Sequence, residues 1–484
     1  MKKILYLFGA MALMAGMVAC ENGDEPGQGG TNWDEVLDRG VYVVGEATGS
    51  DELQLAWGMT GGRNEANSNE LRTGMYEKYV WLEAGKPFTL VNYVEEGNQT
   101  TYTSLLENTR DGRDSETWAD HPQVDIRFGE LIEGGTETMS VEETGLYHIV
   151  LDLNEVKNSL GEPELAYPQI VVAPAEWGIR GGMNGWGFTK GDMTRAEDGT
   201  IVYTIKNAVC SENCEFKFAY GGGWKIQLDA DGKVKANTNL GADMVIGGGN
   251  IMIEQAGIYD IVLKYKNAAG VAAQSFSYEV NYKGEIPTAM TLKYGEEDVE
   301  MIPVNGLGGQ YWAVRTLEAG QTYAVTATLP SGVVDYVTIG GDNAGVTVTG
   351  TVAENGLYLI HVDYVNETAT VKPAVVYGIG AAFAPAPPEV EEGEEKPHDY
   401  RWDTWAYPFT VNEDGTVTKT LEYGGALRMY VEIDREKIDW WQAEFMVYDG
   451  EIEFRGNGGD QEAVIVAAGQ TVTLNFNEGT GSIQ

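Results

Sequence analysis

The sequence predicts an all-β protein built from β-sandwiches in tandem, and three observations carry that prediction. Short runs rich in Val, Ile, Thr and Tyr alternate apolar with polar residues and are cut by turn residues every 8–12 residues or so, the spacing of sandwich strands. Helical period over three turns is nearly absent; only Asn32 to Leu37 and Arg435 to Trp441 have room for a turn or two. The third observation is internal repetition. Glu197-Asp198-Gly199-Thr200-Ile201-Val202-Tyr203 matches Glu413-Asp414-Gly415-Thr416-Val417-Thr418-Lys419, and in each case Asp-Gly between alternating runs predicts a hairpin with a type I′ turn.

Taken in order, the chain begins with a targeting segment. Lys2 and Lys3 precede an uncharged, mostly apolar stretch, Ile4 to Ala19, which is shorter than the roughly 20 residues a bilayer span needs. It ends Met17-Val18-Ala19-Cys20, which resembles a lipobox: small residues before a cysteine that is lipidated and becomes the new N-terminus. Residues 1–19 are therefore read as a lipoprotein signal peptide and Cys20 as its lipidation site. Residues 20–36 are rich in Gly and acid, cannot bury anything, and are read as a flexible tether. The membrane is engaged through the lipid anchor only.

The rest divides into four expected sandwich domains. Residues 37–172 open on Val41-Tyr42-Val43-Val44 and close on Gly145-Leu146-Tyr147-His148-Ile149-Val150. Residues 173–283 run from Trp177-Gly178-Ile179-Arg180 to Gly257-Ile258-Tyr259-Asp260-Ile261-Val262, with Glu215-Phe216-Lys217-Phe218 between. Residues 284–374 have only Trp312 as an indole and are expected to be a spacer. Residues 375–484 open on Val375-Val376-Tyr377-Gly378 and hold a Pro/Glu-rich insert, Pro385 to Pro397, read as a solvated loop. The repeat extends beyond the hairpins: Lys217 sits between Phe216 and Phe218 as Arg428 sits between Leu427 and Met429.

Charge and motif content exclude several function classes. A formal net charge of -42 repels phosphate backbones, so nucleic acid is not an expected partner. Polyanionic glycans are disfavoured for the same reason. No Gly-x-Ser-x-Gly, His-Glu-x-x-His or full phosphate loop is present, and the expectation is that the chain is not an enzyme and uses no cofactor. A glycosidase would need two carboxylates facing one bond, and 74 acidic residues single out no such pair. Four scattered histidines have no metal-ligand spacing, and Asp229-Ala230-Asp231-Gly232 reads as a plain turn rather than a calcium loop. Cys210 and Cys214 either close a small disulfide loop or stay as two buried thiols; the residues alone do not choose.

The aromatics point to a chemistry. A sugar ring has a C–H face and hydroxyl edges. A flat indole covers the face at little entropic cost, while Lys, Arg and Asn bond the edges. With 12 Trp and 26 Tyr the chain can afford such platforms. In the second domain the candidates are Trp177, Trp186 and Trp224, with Lys217, Lys225 and Asn250. In the fourth they are Trp402, Trp405, Trp440 and Trp441, with Arg428. Trp57, Arg63 and Asn64 form a weaker set in the first. Core packing is the competing reading for every tryptophan of a sandwich, and Trp81 and Trp312 are assigned to cores.

The lipobox with its acidic tether, Val41-Tyr42-Val43-Val44-Gly45-Glu46-Ala47-Thr48, Trp177 to Asn184-Gly185-Trp186, Trp224 and Gly249-Asn250-Ile251 together resemble the SusE/SusF outer-membrane proteins of Bacteroidetes. The resemblance implies immunoglobulin-like or carbohydrate-binding-module-like sandwiches, anchored at the outer face of the outer membrane. It implies a non-catalytic role in holding starch or another neutral polysaccharide beside a Sus-type transporter. Residue by residue, it supports Trp177, Lys217, Trp224 and Asn250. Two other function classes stay open at this stage: an adhesin or structural lipoprotein with buried aromatics, and a glycoside hydrolase. Exposed indoles with polar neighbours separate the first from glycan capture, and product formation separates the second.

Overall fold

The structure is a computed structural model that describes residues 37–64, 70–111, 125–153, 156–157, 163–165, 168–220, 225–226, 236–237, 239–242, 244, 248–267, 274–339, 346–390 and 396–484. Residues 38–484 form one compact unit. It is built almost entirely of antiparallel strands, so the all-β, sandwich-like class read from the sequence holds. The signal, tether and Cys20 lie outside the described residues.

The strands fall into four groups along the chain. In the first, a four-stranded sheet containing Gly40–Val44 and Thr89–Glu95 accompanies a six-stranded sheet containing Glu70–Leu82, Gly145–Asp152 and Gln169–Pro174. Their shared core holds Val41, Val43, Leu90, Ile149, Leu151, Ile170 and Val172. The alternate residues of the same strands, Leu146, Val150, Val171 and Ala173, belong to a different core that is continuous with the second group. That sheet is buried on both faces, which is why Gly145–Asp152 reads as an almost unbroken apolar run. His148 lies within this seam. One ring nitrogen is 2.9 Å from Glu77 Oε2 and the other 2.7 Å from the Tyr220 hydroxyl, so a polar link ties the first group to the second.

The second group pairs Trp177–Gly181 with Cys214–Tyr220 in one sheet, and Ile201–Cys210 with Gly257–Asn267 in the other. Cys210 and Cys214, at the adjoining ends of two strands in different sheets, are buried free thiols, so the disulfide alternative is set aside. Burial, reinforced by the neighbouring Cys214, pushes the Cys210 thiol up to about 12.

The repeated hairpins have one geometry, but not the expected turn. Only the glycines have positive φ, 81° at both Gly199 and Gly415. Gly199 N–H bonds the Ala196 carbonyl at 3.0 Å and Ala196 N–H bonds the Thr200 carbonyl at 2.8 Å; Gly415, Asn412 and Thr416 repeat this at 3.0 and 2.8 Å. This is the longer loop of a tight turn closed by a left-handed glycine. The Asp side chain explains the switch: Asp198 accepts from Thr200 N–H and Asp414 from Thr416 N–H, holding the aspartate out of the left-handed region.

The third group repeats the two-faced plan. On Gln310–Leu317, Tyr311, Ala313 and Leu317 fill its own core, while Trp312 and Val314 join the core of the fourth group. Trp312 is fully buried there, as expected, edge-on to Phe454 at 5.4 Å. In the fourth group both layers belong to one sheet, whose path runs from Tyr407–Pro408 through Val376–Ile379, Gly425–Val431, Glu444–Tyr448 and Glu451–Phe454 to Thr480–Ile483, Thr471–Asn475, Val417–Thr420 and Thr410–Val411. It curls around Leu427, Met429, Val431, Phe445 and Leu474.

Candidate functional site

Alternation along Gly425–Val431 sends Leu427, Met429 and Val431 into the core, so Arg428 and Tyr430 emerge on the opposite face. The register then sets Tyr430 opposite Tyr377 and beside Glu444. The two tyrosine rings stack at 5.9 Å and 19°. Two indoles from loops close over them. Trp405 stands edge-on to Tyr377 at 5.6 Å and to Tyr430 at 5.2 Å, and its backbone N–H donates to the Tyr430 hydroxyl at 2.9 Å. Trp440 tilts onto Tyr430 at 5.8 Å. Both indoles are half-buried, whereas Tyr430 beneath them is fully buried and its hydroxyl is pushed up to about 12 by that burial.

Three guanidinium groups frame these rings. Arg435 lies 5.6 Å from the Tyr377 ring and 5.5 Å from Trp405, and donates at 2.7 Å both to the Tyr377 hydroxyl and to Glu432. Arg428 lies 6.0 Å from Trp440 and Arg455 lies 5.1 Å from Trp441. Both donate to the buried carboxylate of Glu444, at 2.6 and 2.8 Å. Arg428 also donates to Asp460 at 3.0 and 3.2 Å and to the Gln461 carbonyl at 2.9 Å. The hydrogen bond from Arg428 holds the Asp460 carboxyl below the usual carboxylate range. Trp402 is 52 % exposed on the short turn Tyr400–Trp402, which is braced by the Arg401–Asp399 pair at 2.7 Å.

Sequence reasoning named Trp402, Trp405, Arg428, Trp440 and Trp441, and the structure brings the last four onto one face. It did not name Tyr377, Tyr430, Arg435, Glu444 or Arg455. Tyr430 was within reach: two residues after Arg428 on an alternating strand, it had to share that face.

The second group carries a related arrangement. Lys217 stands opposite Arg180 in the register, and Arg428 stands opposite Ile379, each on the fourth residue of the opening strand. The Trp186 loop leaves the same strand end. Asn184 braces it, accepting from Gly181 N–H at 2.9 Å and donating to the Ile179 carbonyl at 3.2 Å and to Thr189 at 2.9 Å. Trp186 is 36 % exposed. Asn250 is exposed and donates to Glu215 at 2.9 Å.

Trp177 requires a correction. It alternates into the core with Ile179, is fully buried, and packs on Tyr220 at 5.1 Å, Phe276 at 5.4 Å and Tyr79 at 5.8 Å. As the first residue of its strand it faces inward, so it offers no platform. Trp224 and the side chains of Lys225, Arg63 and Asn64 lie outside the described residues. Trp57 is half-buried against the first core. Among the described residues, two crevices of about 260 and 300 Å³ between the second and third groups are lined by no tryptophan.

Part of the chain, including the stretch that holds Trp405 and Trp440, is similar to known proteins. Residues 393–482 match the family model described as SusF/SusE starch specific CBMs. The chain is similar to the outer membrane protein SusF of Bacteroides thetaiotaomicron, 31% identical over 196 residues, which is 38% of this chain and 38% of that protein. The match thus spans little more than a third of the length of that relative. A search of solved structures pairs the chain with the crystal structure of SusF from Bacteroides thetaiotaomicron at 16% identity and a TM-score of 0.36, covering 92% of this chain and 100% of that one. The chain is SusF/SusE-like, and the segment matching the SusF/SusE carbohydrate-binding modules is the one that holds Trp402, Trp405, Arg428, Trp440 and Trp441.

Proposed function

We propose that this chain is a non-catalytic, cell-surface lipoprotein that captures a neutral polysaccharide, starch first among the glycans to test. The observation that carries the reading is the pair of half-buried indoles, Trp405 and Trp440, backed by Tyr430 and framed by Arg428 and Arg435. Backing rings fix the indoles before a ligand arrives, so little side-chain entropy is lost when a sugar stacks on them. The guanidinium groups packed over the indoles also help to hold the rings, and their N–H groups are of the kind that bonds sugar hydroxyls. The match of this segment to a family described as starch-specific supports starch. Similarity to an outer membrane protein supports a surface location, with lipidated Cys20 as the anchor and a Sus-type transporter complex as neighbour.

Trp186, Lys217 and Asn250, with Trp224 and Lys225, are proposed as a second, weaker site in the same chain. Joining two weak sites raises avidity without new contacts. Affinity electrophoresis in gels cast with soluble starch and other neutral polysaccharides tests the reading. Retardation by starch that drops in Trp405→Ala and Trp440→Ala supports it. Migration unchanged in every gel overturns it.

A further inference from the structure

The fourth group's binding face is clamped by a residue of the third. Asn305 sits in the loop between Ile302–Pro303 and Gln310–Leu317, in the stretch the sequence marks as a spacer. Its backbone N–H donates to the Gln442 carbonyl at 3.1 Å, and its own carbonyl accepts from Gln442 Nε2 at 2.7 Å. Gln442 belongs to the short turn Trp440–Ala443, where its side-chain oxygen caps Asp439 N–H at 2.9 Å. The Asn305 side chain reaches the other way, donating to the Gly456 and Gly458 carbonyls at 2.5 and 2.8 Å. That second loop carries Arg455, Asp460 and Gln461, the groups that fix Arg428 and back Trp441.

One residue therefore bonds both walls of the aromatic site: the turn bearing Trp440 and Trp441, and the loop that holds the cations beneath them. We infer that Asn305 is a positioning residue for glycan binding by the fourth group, and that the third group acts as its scaffold rather than as a passive spacer. This rests on the proposed glycan-binding reading. The physical reason is geometric. A turn of four residues has too few internal hydrogen bonds to fix two indoles, and a Gly-rich loop, Gly456 to Gly459, cannot hold a carboxylate in register unaided. Arg315 strengthens the same junction from beyond the loop, donating to the Phe476 and Asn477 carbonyls at 3.2 and 2.6 Å.

The test uses the full chain with soluble starch as probe. Asn305→Ala removes the two side-chain bonds and leaves the backbone pair to Gln442 intact. Starch affinity is expected to fall about tenfold, the equivalent of one to two net hydrogen bonds. In fluorotryptophan-labelled protein, the fluorine signals of Trp440 and Trp441, assigned with Trp440→Phe and Trp441→Phe, are expected to shift and broaden while that of Trp177, in the core shared by the first two groups, stays put. Asn305→Asp, which keeps the shape but sets a carboxylate against two carbonyls, is expected to act in the same direction. Asn355→Ala, which loses a bond to Ala319 N–H elsewhere in the third group, is expected to leave binding unchanged. Affinity within twofold of wild type in both Asn305 variants, with unmoved Trp440 and Trp441 signals and a Trp440→Ala control that loses binding, overturns the inference and leaves the glycan reading standing. A wild-type chain that neither starch nor any other neutral polysaccharide retards overturns the glycan reading, and this inference with it.

Discussion

Trp186 and Trp405 share an uncommon backbone conformation, φ = +64° in each, at corresponding loops of two strand groups. Trp186 precedes by four residues the Lys190 that pairs with Gly178, and Trp405 precedes by three the Pro408 that pairs with Tyr377. The left-handed region costs an L-residue about 1–2 kcal/mol. Two indoles paying that cost at matching places argue for a use that glycine could not serve. Trp186→Gly is therefore expected to be about 1 kcal/mol more stable than Trp186→Ala, while both lose whatever stacking the ring provides. Denaturant melts of the two variants check the order, and Ala equal to or above Gly would contradict it.

Trp177 is the opposite case. It fills the seam between the first two groups, so Trp177→Ala leaves a cavity lined by Tyr79, Tyr220 and Phe276 and is expected to cost about 3–5 kcal/mol. Glycan retardation of the surviving folded fraction is expected to be unchanged. A variant of wild-type stability with lost binding would move Trp177 back among the platform residues.

These two tryptophans show what the sequence makes legible. Asn184-Gly185 marks a loop, and an indole after it has no strand face to hide behind, so exposure of Trp186 could be read directly. Trp177 begins a strand, and which face of a strand looks inward is decided by a partner distant in sequence; for Trp177 the pairing with Tyr220 and the packing on Tyr79 set it. The likeness of Lys217 and Arg428 was legible because repeated apolar neighbours fix the local alternation. Glu444 was not: nothing local distinguishes it among 74 acids, and its burial follows from meeting Arg428 and Arg455 across the sheet. The shared cores were also out of reach, since a strand buried on both faces looks the same from sequence whichever neighbour covers it.

Glu444→Gln tests that buried carboxylate. Arg428 and Arg455 are 15% and 13% exposed and would lose the buried carboxylate they share, keeping Asp460, at 3.0 and 3.4 Å, as their other common partner. Removing one partner of a buried ion pair typically costs about 3–5 kcal/mol, and the partial exposure here favours the low end. A lowered melting temperature together with weakened starch retardation is expected. Unchanged stability would show that Asp460 and solvent suffice for both cations.

Cys210 and Cys214 are buried, and the Cys210 thiol is held well above its ordinary range, up to about 12, by that burial and by Cys214. The thiolate is the reactive form, so Cys210 stays protonated and inert at neutral pH. Ellman titration at pH 8 is expected to label neither thiol in native protein and both in denaturant. Absence of labelling in denaturant would mean that the pair is oxidised.

The ion pairs around the indoles give the site a definite pH window. Asp460 is lowered by its hydrogen bond to Arg428, and Asp399 by its hydrogen bond to Arg401. A carboxyl whose folded value lies below its unfolded value adds stability that is fully present above the unfolded value, about 3.9 for Asp, and is lost as pH falls through the folded one. Starch affinity is therefore expected to be flat from about pH 5 to 8 and to fall below about pH 4, as Asp460 releases Arg428 and Asp399 releases the Trp402 turn. Affinity electrophoresis across that range reads it directly. A fall already complete above about pH 5 would show that these two carboxylates do not set the window.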